Sequence, residues 1–239
     1  MNDTQQQRSA LIFGARNLGR AVIERLREDG WAVAAVARSE STLATAEAAG
    51  ALTMTADITD PESVRDALGR TAEAQGGVDL VVNAASAYGG DRSGPFGGGP
   101  LADAAPDAFD AWAAAPARAA FTFLSAASRF ALDQARPATL IQVTGGSARR
   151  ALPGRAPWAS GAAATRALSQ AAANELKPKG VHACLLICDG SFGGAGDDDG
   201  GKKIDTTELA RAVQYLHEQG RSAWTHELVV TPVGDRWTP

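Results

Sequence analysis

Two glycines stand five residues apart, at a place where a nucleotide could bind. Gly14 and Gly19 lie between an apolar run and an amphipathic stretch, in the segment Phe13-Gly-Ala-Arg-Asn-Leu-Gly-Arg20. If the run is a strand and the stretch a helix, the turn presents backbone N–H groups and the positive helix end to a pyrophosphate. Gly14 permits the tight turn, and Gly19 lets the helix pack close to the strand. The pattern predicts a dinucleotide-binding loop, with a plain turn as the alternative.

The rest of the chain supplies the elements that such a loop needs. Seven short apolar runs predict strands, at residues 10–13, 33–36, 52–56, 79–83, 139–143, 181–187 and 227–230. Amphipathic stretches of helical length lie between them, the later ones at 107–133, 157–176 and 206–219. Apolar strands that alternate with helices pair in parallel through right-handed crossovers. We therefore expect an α/β fold of the Rossmann type, a doubly wound parallel sheet of seven strands with helices on both faces.

Local signals mark a helix start and the border of a site. Thr59 and Glu62 form a capping box, with Pro61 in the first turn of the helix that follows. Two glycine-rich segments, 89–100 and 190–201, each contain six glycines and follow predicted strands. Because ligands bind beyond the carboxyl ends of the strands in such sheets, we expect both segments to form loops around the site.

The composition limits the kinds of protein that the chain can be. With 239 residues, 45% hydrophobic and 21% charged, it matches one soluble globular domain. The net charge of −4 gives no basic surface for nucleic acid, and no apolar run reaches the roughly 20 residues that span a bilayer. We expect a flexible tail at 1–9, one dinucleotide-binding domain at 10–239, and a cytoplasmic location without a membrane or nucleic-acid partner.

No set of side chains has the spacing of a metal site. The three histidines are scattered, and the acidic run at 197–199 is typical of a solvated glycine-rich loop. Cys184 and Cys188 lie four residues apart in a predicted strand, where alternation puts both on one face. We expect two buried thiols there, with a zinc pair or a disulfide as the alternative.

Three further motifs lie at the ends of the second, third and fourth predicted strands. They are Arg38, Asp57-Ile58 and Asn83-Ala-Ala-Ser86. Together with the glycine loop, they resemble the loop, strand-two end, adenine-contacting aspartate and Asn-Asn-Ala-Gly motif of the short-chain dehydrogenase/reductase family. The likeness covers nearly the whole chain, with Asn17 where the family has its middle glycine in a loop one residue longer. It implies cofactor contacts from Gly14, Arg16, Asn17, Leu18, Gly19, Arg38, Asp57, Ile58, Asn83, Ala84 and Ala85.

Charge near the second strand bears on which dinucleotide binds. A carboxylate at the end of that strand would bond the ribose hydroxyls of NAD and repel a 2′-phosphate. Ala37 stands there instead, Arg38 follows it, and Arg16 lies in the glycine loop. Since guanidinium groups bind phosphate well, the pattern favours NADP(H) over NAD(H). The alternative is that both arginines are solvated surface residues.

The residues that carry proton transfer in the family are missing from this sequence. The resemblance places Trp158 at the tyrosine position, Ala162 at the lysine position, Gly145 at the serine position and Pro116 at the asparagine position. None of these side chains has a proton that it can usefully exchange. No lysine occurs before residue 177 to repair the pair. A further departure is Asp189-Gly190, where most members carry Pro-Gly.

Other side chains could supply the lost chemistry. Tyr88 follows the fourth strand and could lean into the site, and Ser147 lies two residues beyond Gly145, where it could bond a substrate carbonyl. Each also has a plain structural explanation, as a packed ring and a solvated loop hydroxyl. The loop after the fifth strand is basic, which could attract an anion or merely form a charged surface, through Arg149, Arg150 and Arg155.

Two functional hypotheses follow from the resemblance. The first is an NADP(H)-dependent oxidoreductase acting on a small carbonyl or conjugated substrate with an altered mechanism. The second is a non-redox protein on the same scaffold, which would be a dinucleotide sensor, an accessory subunit, or a lyase-like or isomerase-like enzyme. Because the family forms a four-helix contact between subunits, we also expect a homodimer or homotetramer through helices 107–133 and 157–176.

Overall fold

A parallel sheet of seven strands runs through the residues that the computed structural model describes, 7–89 and 94–235. The spatial order is β3-β2-β1-β4-β5-β6-β7. The strands are β1 Ser9–Phe13, β2 Ala32–Ala37, β3 Leu52–Thr55, β4 Leu80–Asn83, β5 Thr139–Gly145, β6 His182–Cys188 and β7 Glu227–Val230. The strand order reverses between β1 and β4, which opens a crevice at their carboxyl ends. The predicted doubly wound parallel sheet is confirmed.

Helices cover both faces of the sheet. They are α1 Leu18–Glu28, α2 Glu40–Ala48, α3 Pro61–Gln75, α4 Pro106–Phe109, α5 Ala115–Asp133, α6 Ala156–Leu176 and α7 Thr206–Glu218. Helices α1, α2 and α7 pack on one face, together with Ala10 and Ile12 of β1. Helices α3, α5 and α6 pack on the other, together with Leu11 and Phe13. Neighbouring residues of one strand thus enter different cores, which is why the strands are apolar throughout.

The central strands anchor the molecule through complete burial. Leu11, Ile12, Leu80 and Leu140 have no exposed surface, and each such side chain contributes about 1.5–3 kcal/mol to stability. Cys184 and Cys188 are free and buried on one face of β6, as predicted, and burial raises the pKa of each thiol to about 12. Among the described residues, no helix is long and apolar enough to cross a membrane.

The predicted start of α3 is wrong by one residue. Asp60 caps this helix, because its carboxylate accepts the backbone N–H groups of Glu62 at 3.0 Å and Ser63 at 3.3 Å. Thr59 instead donates its hydroxyl to Asp57 Oδ1 at 2.8 Å. The aspartate outcompetes the threonine as a cap since its two oxygens accept both donors at once. Pro61 does occupy the first turn, as predicted.

The predicted helix at 107–133 is interrupted. A π-helical turn, Asp110–Ala114, separates α4 from α5. Pro116 lies just beyond it and has no N–H to give to the carbonyl of Trp112, four residues back, so regular α-helical bonding cannot continue there. The carbonyl of Ala111 instead accepts the N–H of Gly89, at 3.0 Å. The interruption therefore ties this helix to the loop after β4.

The predicted boundary between a tail at 1–9 and a domain at 10–239 differs from the structure at Ser9. Ser9 belongs to β1 rather than to a tail, and its buried hydroxyl donates to the carbonyl of Gly77 at 2.7 Å. Residues 1–6 of the predicted tail, residues 90–93 of the first glycine-rich segment and residues 236–239 lie outside the described residues.

Two buried histidines should make stability fall in mild acid. His182 Nε2 contacts the carbonyl oxygen of Thr225 at 2.8 Å, and His217 Nδ1 contacts Thr139 Oγ1 at 3.2 Å. Burial lowers the pKa of both imidazoles below the ordinary value of 6.5. Below about pH 6.5 the unfolded chain therefore binds protons that the folded chain does not.

We expect the free energy of unfolding to fall by about 1–3 kcal/mol between pH 7 and pH 5, as measured by urea denaturation. The lowered carboxyl pKa values of Asp60 and Asp205 act only below this range, because their ordinary value is 3.8. Replacing both histidines, as His182→Gln with His217→Gln, should flatten the dependence. Equal stability of the parent protein at pH 7 and pH 5 would contradict the assignment.

Candidate active site

A cleft of about 1190 Å³ opens at the carboxyl edge of the sheet, over the point where the strand order reverses. We call its two parts the loop half and the aromatic half. The loop half is lined by the β1–α1 turn, by the carboxyl end of β2 at Val36 and Ala37, and by Arg38, Ser39 and Thr42 after it. The aromatic half is lined by the segments after β4, β5 and β6, including Tyr88, Phe96, Arg150, Arg155 and Trp158.

The β1–α1 turn has room for glycine alone at two positions. Gly14 has a φ of +92°, and a Cβ there would lie 2.8 Å from backbone atoms of Ala84 and Ala85. A Cβ on Gly19 would overlap the carbonyl oxygen of Gly14. The Gly14 N–H donates to the carbonyl of Val36 at 2.7 Å. These contacts press the turn against the loops after β4 and β2 and fix the start of α1.

The same turn contains four successive backbone N–H groups without acceptors among the described residues. Among the described residues, no hydrogen-bond acceptor lies opposite the backbone N–H groups of Ala15, Arg16, Asn17 or Leu18. The first turn of α1 carries no acidic residue, and the Asn17 side chain makes no capping bond. Free N–H groups at the positive end of a helix bind phosphate groups. The residues present therefore fit the pyrophosphate of a dinucleotide.

Asn17 holds an unusual backbone conformation at the centre of this turn. Its φ is +45° and its ψ is −113°, a combination that glycine adopts far more easily than residues with a Cβ. The carbonyl of Asn17 accepts the N–H of Ala21 at 3.1 Å, which begins the helix. The strain sits at the position where the resembled family has glycine, and asparagine is among the residues that tolerate it best.

The predicted cofactor residues divide into two groups. Most of them line the cleft: Gly14, Arg16, Asn17, Leu18, Arg38, Ile58, Asn83, Ala84 and Ala85. Gly19 and Asp57 do not. Gly19 packs under the turn, and the Asp57 carboxylate accepts the backbone N–H and the hydroxyl of Thr59, at 2.9 and 2.8 Å. Thus Asp57 shapes the loop after β3, while its neighbours Ala56 and Ile58 form the wall.

A buried amide pair, missed at the sequence level, supports the loop after β4. Asn83 donates its Nδ2 to Gln142 Oε1 at 2.9 Å and accepts the N–H of Ala85 at 3.1 Å. Gln142 in turn donates to the carbonyl of Val143 at 2.8 Å. Because both amides are buried, their polar atoms need partners inside the protein, and these hydrogen bonds hold both side chains in one orientation. The signal for it is the amide side chain of Gln142 between two apolar residues of β5, Ile141 and Val143.

The residues predicted to replace the proton relay meet in the aromatic half. Pro116, Gly145, Trp158 and Ala162 all line the cleft. A Cβ on Gly145 would lie 3.4 Å from Cζ2 of Trp158, so the indole lies directly over this glycine. Phe96 packs edge-on against Trp158, with ring centroids 4.8 Å apart. The indole is therefore a wall of the cleft.

Tyr88 and Ser147, the two alternative donors, also reach the cleft. The Tyr88 ring packs against Trp112 at a centroid distance of 5.0 Å, and Trp112 packs against Phe96 at 5.1 Å. Ser147 is 7% exposed and lies in the 3₁₀ turn after β5. A phenol and a hydroxyl thus border the same space as the indole.

The basic loop after β5 is bound to the loop after β6 by an ion pair. Arg150 Nη1 lies 2.8 Å from Asp189 Oδ2, and the aspartate side chain is 7% exposed. A Cβ on Gly146 would overlap Asp189 Oδ1, so this carboxylate needs a glycine beside it. Asp189, which stands where most family members carry proline, is therefore accommodated by two residues. Arg150 supplies the opposite charge, and Gly146 leaves space for the carboxylate. Arg150 is a partner of Asp189 rather than a freely solvated charge.

A model of the short chain dehydrogenase family matches residues 8–192, most of the chain. The chain belongs to this family. It is 30% identical to the short-chain dehydrogenase/reductase eriH of Hericium erinaceus over 185 residues, which are 73% of this chain and 70% of that protein.

Solved structures share the fold. A metagenomic short-chain oxidoreductase in complex with NADP superposes with a TM-score of 0.75 at 22% identity, covering 95% of this chain and 98% of that one. Acetoin dehydrogenase from Enterobacter cloacae superposes with a TM-score of 0.78 at 19% identity, covering 95% of each chain. At these identities the likeness shows the fold alone.

The strain at Asn17 leads to a stability prediction. Asn17→Gly should keep or raise the melting temperature, whereas Asn17→Val should lower the free energy of unfolding by about 1–3 kcal/mol. Asn174, an ordinary residue of α6, serves as the control. Asn174→Gly should destabilise by about 0.5–1 kcal/mol, because glycine is costly inside a helix. If both glycine variants lose stability equally, Asn17 is not strained.

Proposed function

We propose that this short-chain dehydrogenase binds NADP(H) in the cleft and transfers hydride to or from a small carbonyl or conjugated substrate without the usual proton relay. The observation that carries the proposal is the row of N–H groups at Ala15–Leu18. They have no acceptor in the described part of the chain, and they share one cleft with the indole of Trp158. Bound there, a nicotinamide dinucleotide supplies hydride chemistry. The residues of this chain bind it, orient it and shape the substrate space.

The preference for NADP(H) rests on charge in the loop half. Ala37, the last residue of β2, lines the cleft at the position where a carboxylate would select NAD(H), and Arg38 and Ser39 line it beyond the strand. Arg16 and Arg38 both line this half and are exposed. Their guanidinium groups favour the 2′-phosphate of NADP(H). A structural relative described as a complex with NADP is consistent with this choice.

The site lacks the side chains that supply a proton to the product in the family's usual reaction. Reduction of a ketone leaves an alkoxide that must be protonated, and general acid assistance is typically worth about 10²–10⁴-fold in rate. Trp158, Gly145 and Ala162 cannot provide it. Tyr88 and Ser147 are the hydroxyl groups to which we assign a remaining, weaker part of this assistance. Substrates whose reduction needs no proton at the reacting atom, such as iminium ions, escape this penalty.

Turnover with matched acceptors tests this account. With NADPH, we expect a cyclic iminium ion to be reduced at least about 10²-fold faster than the corresponding cyclic ketone, by steady-state absorbance. Tyr88→Phe with Ser147→Ala should slow the ketone further and leave the iminium rate unchanged. A ketone reduced as fast as the iminium ion would contradict a missing relay.

A second candidate function is supported by the joint replacement of four positions. If Pro116, Gly145, Trp158 and Ala162 have together removed proton transfer, the cleft serves as a dinucleotide sensor or an accessory subunit. NADPH binding without turnover of any carbonyl, enone or imine would support this function over the oxidoreductase. Fold alone does not separate the two.

Cofactor selectivity gives a separate prediction. Calorimetry should show NADPH binding at least about 10-fold tighter than NADH, since a bond between charged groups is worth roughly 1.5–3 kcal/mol. Arg38→Ala should remove most of this difference. The control, Arg70→Ala, changes an exposed arginine of α3 that pairs with Asp66 and should have no effect. Selectivity that survives Arg38→Ala, or tighter binding of NADH, would refute the assignment.

We also propose a homodimer or homotetramer through helices 107–133 and 157–176. The Phe121 side chain of α5 is 57% exposed, and α6 presents small exposed residues four apart, Ala163, Ala167 and Ala171. An exposed ring beside a smooth helix surface suits close packing between subunits.

Light scattering should show a dimer or tetramer at micromolar concentration and a monomer for Phe121→Glu. Tyr215→Glu provides the control, because Tyr215 of α7 is 58% exposed and lies outside these helices. A monomeric parent protein would contradict the assembly.

A further inference from the structure

In the aromatic half of the cleft, one guanidinium group has no carboxylate partner among the residues that the structure describes. Arg155 lines the cleft. Among the described residues, no carboxylate pairs with its side chain. Arg150, the other guanidinium of this half, is already held by Asp189 at 2.8 Å. A cation that the protein leaves uncompensated inside a cleft attracts an anionic ligand.

The structure holds Arg155 in place by backbone and ring contacts. Its backbone forms an isolated parallel bridge with Gly99, and its N–H donates to the carbonyl of Leu152 at 3.1 Å. The guanidinium carbon lies 5.1 Å from the centre of the Phe96 ring and 5.8 Å from that of Trp158. Such cation–π contacts restrain the side chain and leave its N–H donors available.

A run of glycines makes this arrangement possible. Gly97, Gly98 and Gly99 all have a φ between +82° and +96°. A Cβ on Gly97 would lie 3.0 Å from Cγ of Arg155, and one on Gly98 would lie 2.6 Å from Cγ of Pro157. This segment therefore packs closely against the start of α6, where Arg155 is the residue directly before the helix. Its glycines serve to place the arginine stem beside Phe96.

Apolar side chains surround this cation at the mouth of the cleft. Phe96 is 53% exposed, and Leu152 and Phe192 are each 38% exposed, although all three line the cleft. They come from the segments after β4, β5 and β6. Large exposed apolar side chains that converge on a cleft from three loops mark a surface for an apolar ligand.

On the basis of the function proposed above, we propose that the substrate is an aromatic carboxylate. Its apolar body lies against Phe96, Leu152 and Phe192, and its carboxylate binds the guanidinium of Arg155. Arg155 thereby sets the specificity of the site and takes no part in proton transfer. A planar guanidinium suits a carboxylate because two parallel N–H···O bonds form at once.

Calorimetry with two matched probes tests the proposal. The probes are 2-naphthoate and the neutral 2-naphthamide, each titrated into the full chain with and without saturating NADPH. We expect the carboxylate to bind about 10- to 100-fold tighter than the amide. Added salt should weaken the binding of 2-naphthoate and leave that of 2-naphthamide unchanged. Equal affinity for the two probes would overturn the proposal.

Variants locate the effect at one residue. Arg155→Gln should abolish the preference for 2-naphthoate, and Arg155→Lys should retain part of it because the charge remains without the planar fork. Arg70→Gln, on the exposed surface of α3, should leave the preference intact. Circular dichroism and melting temperature establish that each variant is folded. A preference that survives Arg155→Gln in folded protein would refute the role of Arg155.

The same titrations separate this proposal from the proposed function. If NADPH binds and the carboxylate preference is absent, the substrate class is wrong and the cofactor assignment stands. If the preference is present, depends on Arg155 and NADPH does not bind, the anion site is supported and the dehydrogenase function is refuted.

Discussion

The close approach of the β1–α1 turn to the loop after β4 is the constraint on which the rest of the cleft depends. It exists because Gly14 has no Cβ to meet Ala84 and Ala85, and because Gly19 leaves room for the carbonyl of Gly14. The approach fixes the turn whose four backbone N–H groups have no acceptor among the described residues, and the Asn83–Gln142 amide pair supports the opposing loop. Asn17 carries the conformational strain of this arrangement.

Much of the fold could be predicted from the sequence, because parallel strands are buried on both faces and appear as continuous apolar runs. The sheet of seven strands and the buried cysteines followed from that pattern. The sequence predicts an unbroken helix at 107–133 because the hydrophobic spacing continues through the π-helical turn. The interruption depends on a bond from the distant Gly89 N–H to the Ala111 carbonyl, which no local pattern indicates. The sequence does not locate the cap of α3, because Thr59 and Asp60 both suit that role and only the folded geometry decides between them.

The sequence predicts where the candidate site lies and which residues line it, but not most of the contacts between those residues. Motif spacing located the residues of the glycine loop and those of the aromatic half, Gly145, Trp158 and Ala162. Spacing could not reveal that the indole of Trp158 lies over Gly145, that Asp189 pairs with Arg150, or that three glycines fit against Arg155 and Pro157. Each of these joins loops that follow different strands, so no local pattern records it. Two departures from the family pattern therefore depend on each other. The large indole of Trp158 lies against Gly145, a position that has no side chain.

The central claim is that a nicotinamide dinucleotide occupies this cleft with its reactive end near Trp158. Tryptophan fluorescence tests it directly, because the reduced nicotinamide absorbs the light that tryptophan emits. During titration with NADPH, we expect tryptophan emission to fall and NADPH emission to rise, both saturably, and Trp158→Phe to weaken this energy transfer while leaving binding intact. No saturable transfer in the parent protein, or transfer of equal strength in Trp158→Phe, would contradict the claim.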